Sequence, residues 1–547
     1  MSTTTENIQS HFSVNTFTEN AAYQSDPLNV YRLLCKDKDH NILLESAEID
    51  KKHLLKSLLL TDAAVKIVCH GNKVTFSPLS KNGIIAVAYA ALKLAPHAEL
   101  SYSECQFTSF SAQALTASFP QVAQELDEKS RLMAVNPFES LRLFNQLAIT
   151  NTHPFAIFLG GAFAFDMIAV SEQLPEVKEG ENTCPDFVYY LAETMVIIDH
   201  ELQSTQIVAN VFKNQNANDV NHDCTLAIQS RVDSFKQLLN KDITCENNKP
   251  TVNTSPITTD ITTDKSDEEF CDIVEQLKEN IRAGDIFQVV PSRTFSLPCK
   301  DSALAYQELK LSNPSPYMFY LKDSDFCIFG ASPESAIKYQ QHNRQVEIYP
   351  IAGTRPRGLN KDGSICLDLD SRIELELRLD KKELAEHIML VDLARNDIAR
   401  VSQAGTRHVA DLLKVDRYSH VMHLVSRVCG TLSLDLDALH AYQACMNMGT
   451  LSGAPKVKAT ELIRQVEGKR RGSYGGAVGY ITGTGEMDTC IVIRSAFVKN
   501  DIAQIQAGAG VVYDSDPQSE TNETRQKAQA VLSAIALANS KTQGGES

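Results

Sequence analysis

Residues 241–266, KDITCENNKPTVNTSPITTDITTDKS, are rich in Thr, Asn and Asp and hold no hydrophobic period. Such a stretch has nothing to bury and reads as a linker or long surface loop. It divides the chain into two better-patterned parts, residues 1–240 and 267–540, with a polar tail at 541–547 expected to be disordered. At 547 residues the chain exceeds what one ordinary core organises, so two domains are expected.

Upstream of the linker, Val65–His70 and Lys73–Phe76 flank Gly71-Asn72 and read as a hairpin. Thr194–Asp199 and Gln206–Phe212 read as another, with helical stretches such as Leu141–Leu147 between them. Downstream, Ile273, Val274, Leu277 and Ile281 stand at helical spacing within Glu268–Arg282. Strands are expected at Ile286–Val290, Tyr317–Leu321, Phe326–Phe329, Ala477–Ile481, Cys490–Val498 and Ala503–Val512, with a hairpin over Ala336–Ile351. Long helices are expected at Lys381–Arg400, Pro455–Glu467 and Pro517–Ala538, the last started by a Ser515/Gln518 capping box. Strands and helices in runs give an α+β class.

Lys+Arg 52 against Asp+Glu 68 gives a net charge of −16, which argues against a nucleic-acid binder. No apolar stretch of membrane-spanning length is present, and Met1–Ser13 lacks an apolar signal region. The 13 cysteines show neither zinc spacing nor a secreted-scaffold rhythm. Reduced thiols in the cytoplasm are the expectation, with no nucleic acid and no membrane as partner.

Two helices each carry a Glu-x-x-Glu: Glu383/Glu386 and Glu520/Glu523. Spacing of three sets each pair on one helix face. Hard carboxylate oxygens, with no Cys or paired His beside them, favour Mg²⁺ over zinc. Glycines crowd the ends of the surrounding elements, at Gly353-Thr354, Gly449-Thr450, Gly475-Gly476 and Gly508-Ala509-Gly510, where exposed amides can hold oxyanions. A substrate carboxylate ~4 Å from a glutamate is repelled by about 4 kcal/mol at an effective dielectric of ~20. Glutamates and an acidic ligand therefore share a site only through an intervening divalent cation, with an arginine such as Arg494 for a second acidic group.

PIAGTRPRG (350–358), ELAEHIMLVDLARND (383–397), GTLSGAPK (449–456), RGSYGGAVGY (471–480), IQAGAGVVYDSDPQSETNETR (505–525) and ASPE (331–334) resemble, in order, the motifs of the chorismate-binding enzyme family. LLESAEID (43–50) and NPSPYMF (313–319) are similar to its tryptophan-regulated, anthranilate-forming branch. The resemblance implies the chorismate-utilising fold: antiparallel sheets packed together, helices outside, and an interleaved amino-terminal regulatory region before the catalytic domain.

It also implies residue roles. Glu386 and Glu523 would bind Mg²⁺, assisted through water by Glu383 and Glu520. Gly353, Thr354, Tyr474, Arg494, Gly508, Ala509 and Gly510 would hold chorismate. Glu334 would protonate the departing C4 hydroxyl, and His423 and Thr450 would lie beside the enolpyruvyl side, His423 helping to eliminate pyruvate. Glu45, Ser46, Pro316, Tyr317 and Met318 would form the tryptophan pocket; from the residues alone the same segment reads as an apolar inter-domain contact, and His423 as a core histidine.

Within the family the nucleophile separates the members. Isochorismate synthases resemble one another in a lysine that activates water, where this chain has Gln288; aminodeoxychorismate synthases typically carry a lysine where it has Ala352. Ammonia attack at C2 and loss of pyruvate remain, giving anthranilate, the first step toward tryptophan. No cysteine sits in a glycine-flanked nucleophile elbow; the family resemblance then implies a separate glutamine amidotransferase subunit, in a heterotetramer of two of each chain. The alternatives are aminodeoxychorismate or isochorismate synthase and, outside the family, an amino-acid sensor without chemistry or a Mg²⁺ phosphoryl-transfer enzyme. No G-x-x-x-x-G-K-[ST] loop supports the last.

Overall fold

A computed structural model describes residues 12–46, 56–106, 111–123, 125–149, 153–241, 261–360, 362–418 and 421–544. Its centre is a set of antiparallel strands that both halves of the chain build together. Strand Phe187–Asp199 has all thirteen residues buried, so both of its faces are covered. It pairs on one side with Lys56–His70 and on the other with Ser204–Asn214 and Phe158–Phe163. The two expected hairpins, at Gly71-Asn72 and after Asp199, are present.

Two ladders carry the pairing across the linker. Tyr317–Lys322 lies against Asn41–Glu45, placing Met318 opposite Glu45. Ala477–Thr482 lies against Phe158–Phe163. Alternation along the strands then sorts the apolar side chains. Ile42, Leu58, Phe158, Val188, Phe319 and Val478 meet in a layer drawn from strands and their connections. Leu43, Leu59 and Met318, one position along, face helices Pro27–Cys35, Asn218–Leu239, Ser302–Ser312 and Pro517–Gly544 on an outer face. Antiparallel sheets packed together, with helices outside, is the expected α+β arrangement.

Several expectations shift. Residues 242–260 of the linker lie outside the described residues, but its end is built: Thr262–Thr263 pairs with Phe295 and Ser296, and Ser266 caps helix Asp267–Ala283 in a capping box with Glu269. The last helix runs through Gly544, so residues 541–544 of the expected disordered tail are helical, and 545–547 lie outside the described residues. Its cap is Asp516, which accepts the Ser519 amide at 2.9 Å; Ser515 instead accepts from Val512. The expected strand Cys490–Val498 is two strands, Met487–Ile491 and Ser495–Lys499, because Arg494 adopts φ 49°. Ile286–Val290 keeps only Gln288–Val289 as strand, and helix Leu367–Leu379 was not foreseen. Among the described residues no helix is long and apolar enough to cross a membrane, and their cysteines are unpaired.

Candidate active site

The site gathers at the ends of the carboxy-terminal strands. Strand Ile351–Pro356 runs antiparallel to Val421–Thr431, and a register shift between Ala352 and Thr354 sets Thr354 opposite His423. Thr354 Oγ1 lies 2.9 Å from His423 Nδ1. Gly353, at φ +78°, occupies the irregularity; a Cβ there would stand 3.1 Å from Glu383 Oε2. His423 is 3% exposed, and burial together with the positive charge of Arg494 pulls its pKa down to about 4. At neutral pH the imidazole is therefore uncharged and can accept as well as donate a proton.

Glu334 sits in the turn between strands Cys327–Ser332 and Ser335–Gln340. Its carbonyl accepts the Ile491 amide at 3.0 Å and its own amide donates to Ser332 Oγ at 3.3 Å, which fixes the backbone. Thr450 Oγ1 donates to Glu334 Oε1 at 3.0 Å. Burial pushes the carboxyl up to about 8, against smaller opposing influences of Thr450 and Lys527. Glu334 is thus mainly protonated at pH 7, the state a proton donor needs.

Arg494 projects from the break between two strands, its carbonyl accepting the Ala331 amide at 3.1 Å. Burial lowers its pKa, and no carboxylate offsets that effect. A guanidinium drawn partly out of water, with no ion pair among the described residues, is costly unless a ligand supplies the anion.

The two Glu-x-x-Glu pairs converge. Helix Lys381–Val401 starts on Asp380, which accepts the amides of Lys382 at 2.9 Å and Glu383 at 3.2 Å. Helix Pro517–Gly544 brings in the second pair. Burial pushes the Glu386 carboxyl up to about 7, and the negative charges of Glu383, Glu523 and Glu520 push it the same way against Lys382. Glu520, 4% exposed, is raised by burial and by Glu523. Neighbouring carboxylates on two helices thus raise the proton affinity of Glu386 and Glu520, and the donor set that gathers there is all oxygen. Lysines partly answer it: Lys382 lies 3.9 Å from Glu386 and Lys527 2.7 Å from Glu523, while Arg355 engages Glu383 at 2.9 Å. Among the described residues no His, Cys, Asp or Glu side chains close into a ready-made metal cage. The residues fit a hard divalent ion in charge and chemistry, with side-chain rotation needed to close around it.

The glycine turn after strand Ile502–Gly508 forms another wall. A Cβ at Gly510 would come within 2.9 Å of Gln288 Nε2, and one at Gly508 within 3.1 Å of the Tyr474 hydroxyl. Gln288 is 7% exposed and its Oε1 has no partner. The Ala509 amide is not open to a ligand, because it donates to Pro291 O at 3.2 Å. Tyr474 is held by Arg471, 5.5 Å from its ring centre and itself paired with Glu467 at 2.6 Å.

Glu45, Ser46, Pro316, Tyr317 and Met318 line a separate cavity of about 490 Å³ that also touches Pro333 and Ser335, on either side of Glu334. Residues 47–50 of the LLESAEID motif lie outside the described residues. Sequence reasoning passed over two features, the Thr354–His423 bond and a buried Asp397–Lys456 ion pair of 2.8 Å. The second had a signal: Glu386, Leu390, Leu393 and Asp397 follow the 4-3-4 spacing of one helix face.

Comparison with known proteins identifies the family. The family model of the chorismate binding enzymes matches residues 100–533, and the chain belongs to that family. The matched residues include both Phe158–Phe163 and the strand Ala477–Thr482 that pairs with it. Anthranilate synthase component 1 of Vibrio cholerae is 56% identical over 518 residues, 94% of this chain and 95% of that one. The component 1 of Escherichia coli is 53% identical over 521 residues, 95% of this chain and 96% of that one. Within its family the chain thus falls in the anthranilate synthase component 1 branch. Component I from Streptococcus pneumoniae superimposes with a TM-score of 0.63 at 26% identity, covering 88% of this chain and 95% of that one. The menaquinone-specific isochorismate synthase of Escherichia coli shares the fold, with a TM-score of 0.63 at 16% identity over 98% of this chain and 100% of that one.

Proposed function

We propose that this chain converts chorismate and ammonia to anthranilate and pyruvate as the large subunit of a cytoplasmic anthranilate synthase. Mg²⁺ is its cofactor, a glutamine amidotransferase subunit its ammonia source in a heterotetramer, and tryptophan its feedback inhibitor. The observation that carries the reading is the buried carboxyl of Glu334, held neutral by burial and hydrogen-bonded to Thr450, in the same site as Arg494, which has no ion pair among the described residues.

Arg494 and the turn at Gly508–Gly510 orient the acidic groups of chorismate. Bound to Glu386 and Glu523, with Glu383 and Glu520 behind them, Mg²⁺ would neutralise the ring carboxylate and draw electron density from the diene. Glu334 then gives its proton to the C4 hydroxyl, which leaves as water while ammonia forms the bond at C2. Gln288 and Ala352 bring neither a base for water nor an amine for the ring, and the unpartnered Gln288 Oε1 offers an acceptor to a neutral N–H. Neutral His423, steered by Thr354, moves the proton that ring aromatisation releases as pyruvate departs.

Incubation with chorismate, Mg²⁺ and ammonium, followed by identification of the products, tests this. Anthranilate and pyruvate in equal amounts are expected with ammonium salt and not with glutamine alone. Isochorismate or aminodeoxychorismate as the product would overturn the reading, and glutamine use by the isolated chain would remove the partner subunit.

A further inference from the structure

In the function proposed above Glu334 gives up a proton in every turnover, yet it is only 7% exposed and must be reprotonated before the next one. One small cavity reaches it from the side of helix Lys381–Val401. That space, about 20 Å³, is lined by Glu334, Thr450, Leu390, Leu393 and Asp397, among others. Such a volume holds a single water, and Glu334 and Asp397 are the two acidic residues that line it.

Asp397 also lines a second cavity, of about 500 Å³, together with Leu393, Arg400 and Lys456. It is the one carboxylate common to both spaces, and Leu393 is the other residue they share. Asp397 is 5% exposed and is pinned by Lys456, whose Nζ donates to Oδ1 at 2.9 Å, to Oδ2 at 2.8 Å and to the Cys445 carbonyl at 2.7 Å. The rest of the inner wall is largely apolar, with Ile348, Pro350, Ala394 and Met448, and offers no other group that exchanges protons near neutrality.

We propose that Asp397 is a positioning residue for proton return: it relays protons from the larger cavity, through one water in the smaller, to the Glu334 carboxylate after each turnover. The inference rests on Glu334 being the general acid. The Glu334 O–H bond breaks as the C4 hydroxyl leaves as water. Hydronium or a buffer acid in the larger cavity protonates the Asp397 carboxylate, which passes that proton to the bridging water as the water gives one to the Glu334 carboxylate. Asp397 returns to its carboxylate form beside Lys456, and no electrons change hands. Burial raises the proton affinity of Asp397 despite Lys456, as a relay between solvent and an enclosed acid requires.

The test compares the first turnover with later ones, using the full chain with Mg²⁺, ammonium and chorismate and reading anthranilate fluorescence. Glu334 begins protonated, so a broken relay spares the first turnover and slows those that follow. Asp397→Asn removes the relay. Because it also strips Lys456 of its partner, Ala394→Val is made in parallel to fill the inner cavity while keeping the ion pair. In both, single-turnover rates with enzyme in excess should match the parent, and steady-state kcat should fall about tenfold or more. The solvent deuterium effect on kcat should grow, KM for chorismate should stay within about twofold, and Asp397→Glu should recover part of the loss. First and later turnovers slowing together, or neither slowing in Ala394→Val, would overturn the relay. Glu334→Gln separates the two ideas. If it stops the first turnover while the Asp397 and Ala394 variants cycle normally, the relay alone fails. If it leaves the first turnover intact, the acid assignment fails and takes the relay with it.

Discussion

The two regions that flank Glu334 are built on opposite principles. The one beside strand Tyr317–Lys322 has its polar groups satisfied. Glu45 accepts from the Tyr306 hydroxyl at 2.5 Å and from Lys310 at 2.6 Å, Ser46 Oγ donates to Pro316 O at 2.8 Å, and the Tyr317 hydroxyl donates to Asp488 at 3.3 Å. On the other side of Glu334 charge is only partly compensated: Arg494, half-buried, has no ion pair among the described residues, and Glu386 is crowded by three other glutamates against Lys382. A satisfied pocket suits recognition of a small amphipathic molecule. An unsatisfied one stores electrostatic cost that is released when charged ligands arrive, which is where chemistry is expected. Pro333 and Ser335 line the first of these regions, so an occupant there would touch the chain on both sides of the proposed acid.

The comparison breaks most severely at Glu334. Glu334→Gln should lower kcat by about 10²–10⁴-fold and leave tryptophan affinity within about twofold. The chain contains no tryptophan, so the ligand's own emission reports binding without background. Retention of more than about a tenth of the activity would take Glu334 out of the chemistry. Next in size is Arg494. Arg494→Gln should reduce kcat/KM by about 10–100-fold, mostly through KM, because a charge-assisted bond is worth about 1.5–3 kcal/mol. Arg494→Lys should recover part of it as a point charge without the fork. An unchanged KM in Arg494→Gln would mean that the guanidinium meets no substrate carboxylate.

On the recognition side the effects are smaller and have the opposite signature. Ser46→Phe fills the pocket and breaks the bond to Pro316, and Met318→Thr trims its wall opposite Glu45. Each should weaken tryptophan inhibition by about tenfold, the scale of 1.4 kcal/mol, with catalysis within about twofold of the parent. Full sensitivity in both variants would return the pocket to a plain inter-domain contact.

The two sides also differed in how far the sequence revealed them. Glu383/Glu386 and Glu520/Glu523 were visible because helical spacing is local, and placing each pair on one face needs nothing else. Their convergence, and the partnership of Thr354 with His423, depend on where separate segments come to lie; the latter turns on a register shift at Gly353 that no local pattern encodes. The Ser515 cap was a near miss: Asp516 stands one residue on, with the same chemistry and better reach to Ser519. Helix Leu367–Leu379 escaped notice because its leucines are largely unburied, Leu367 at 79% and Leu379 at 67% exposure, so no clean apolar stripe marks it. What the sequence hid was long-range register and burial, and those determine which of its charged residues are left unsatisfied.

The smallest expected effect gives the sharpest reading of the charged cleft, because two of its groups should titrate in opposite senses. Below about 7 a proton occupies Glu386, so Mg²⁺, which needs the carboxylate, should bind more weakly as pH falls, by about tenfold per unit. Above about 8 Glu334 loses the proton it must donate, so turnover should decline as pH rises. Together they give a narrow bell for kcat/KM at limiting Mg²⁺. Saturating Mg²⁺ displaces the proton from Glu386 and should move the acidic limb to lower pH by about one unit. The alkaline limb should stay within about half a unit, because burial, Thr450 and Lys527, not the glutamate cluster, set the Glu334 carboxyl. If both limbs moved together, the metal and the acid would be one coupled group, and the separation of roles between the two ends of the cleft would be lost.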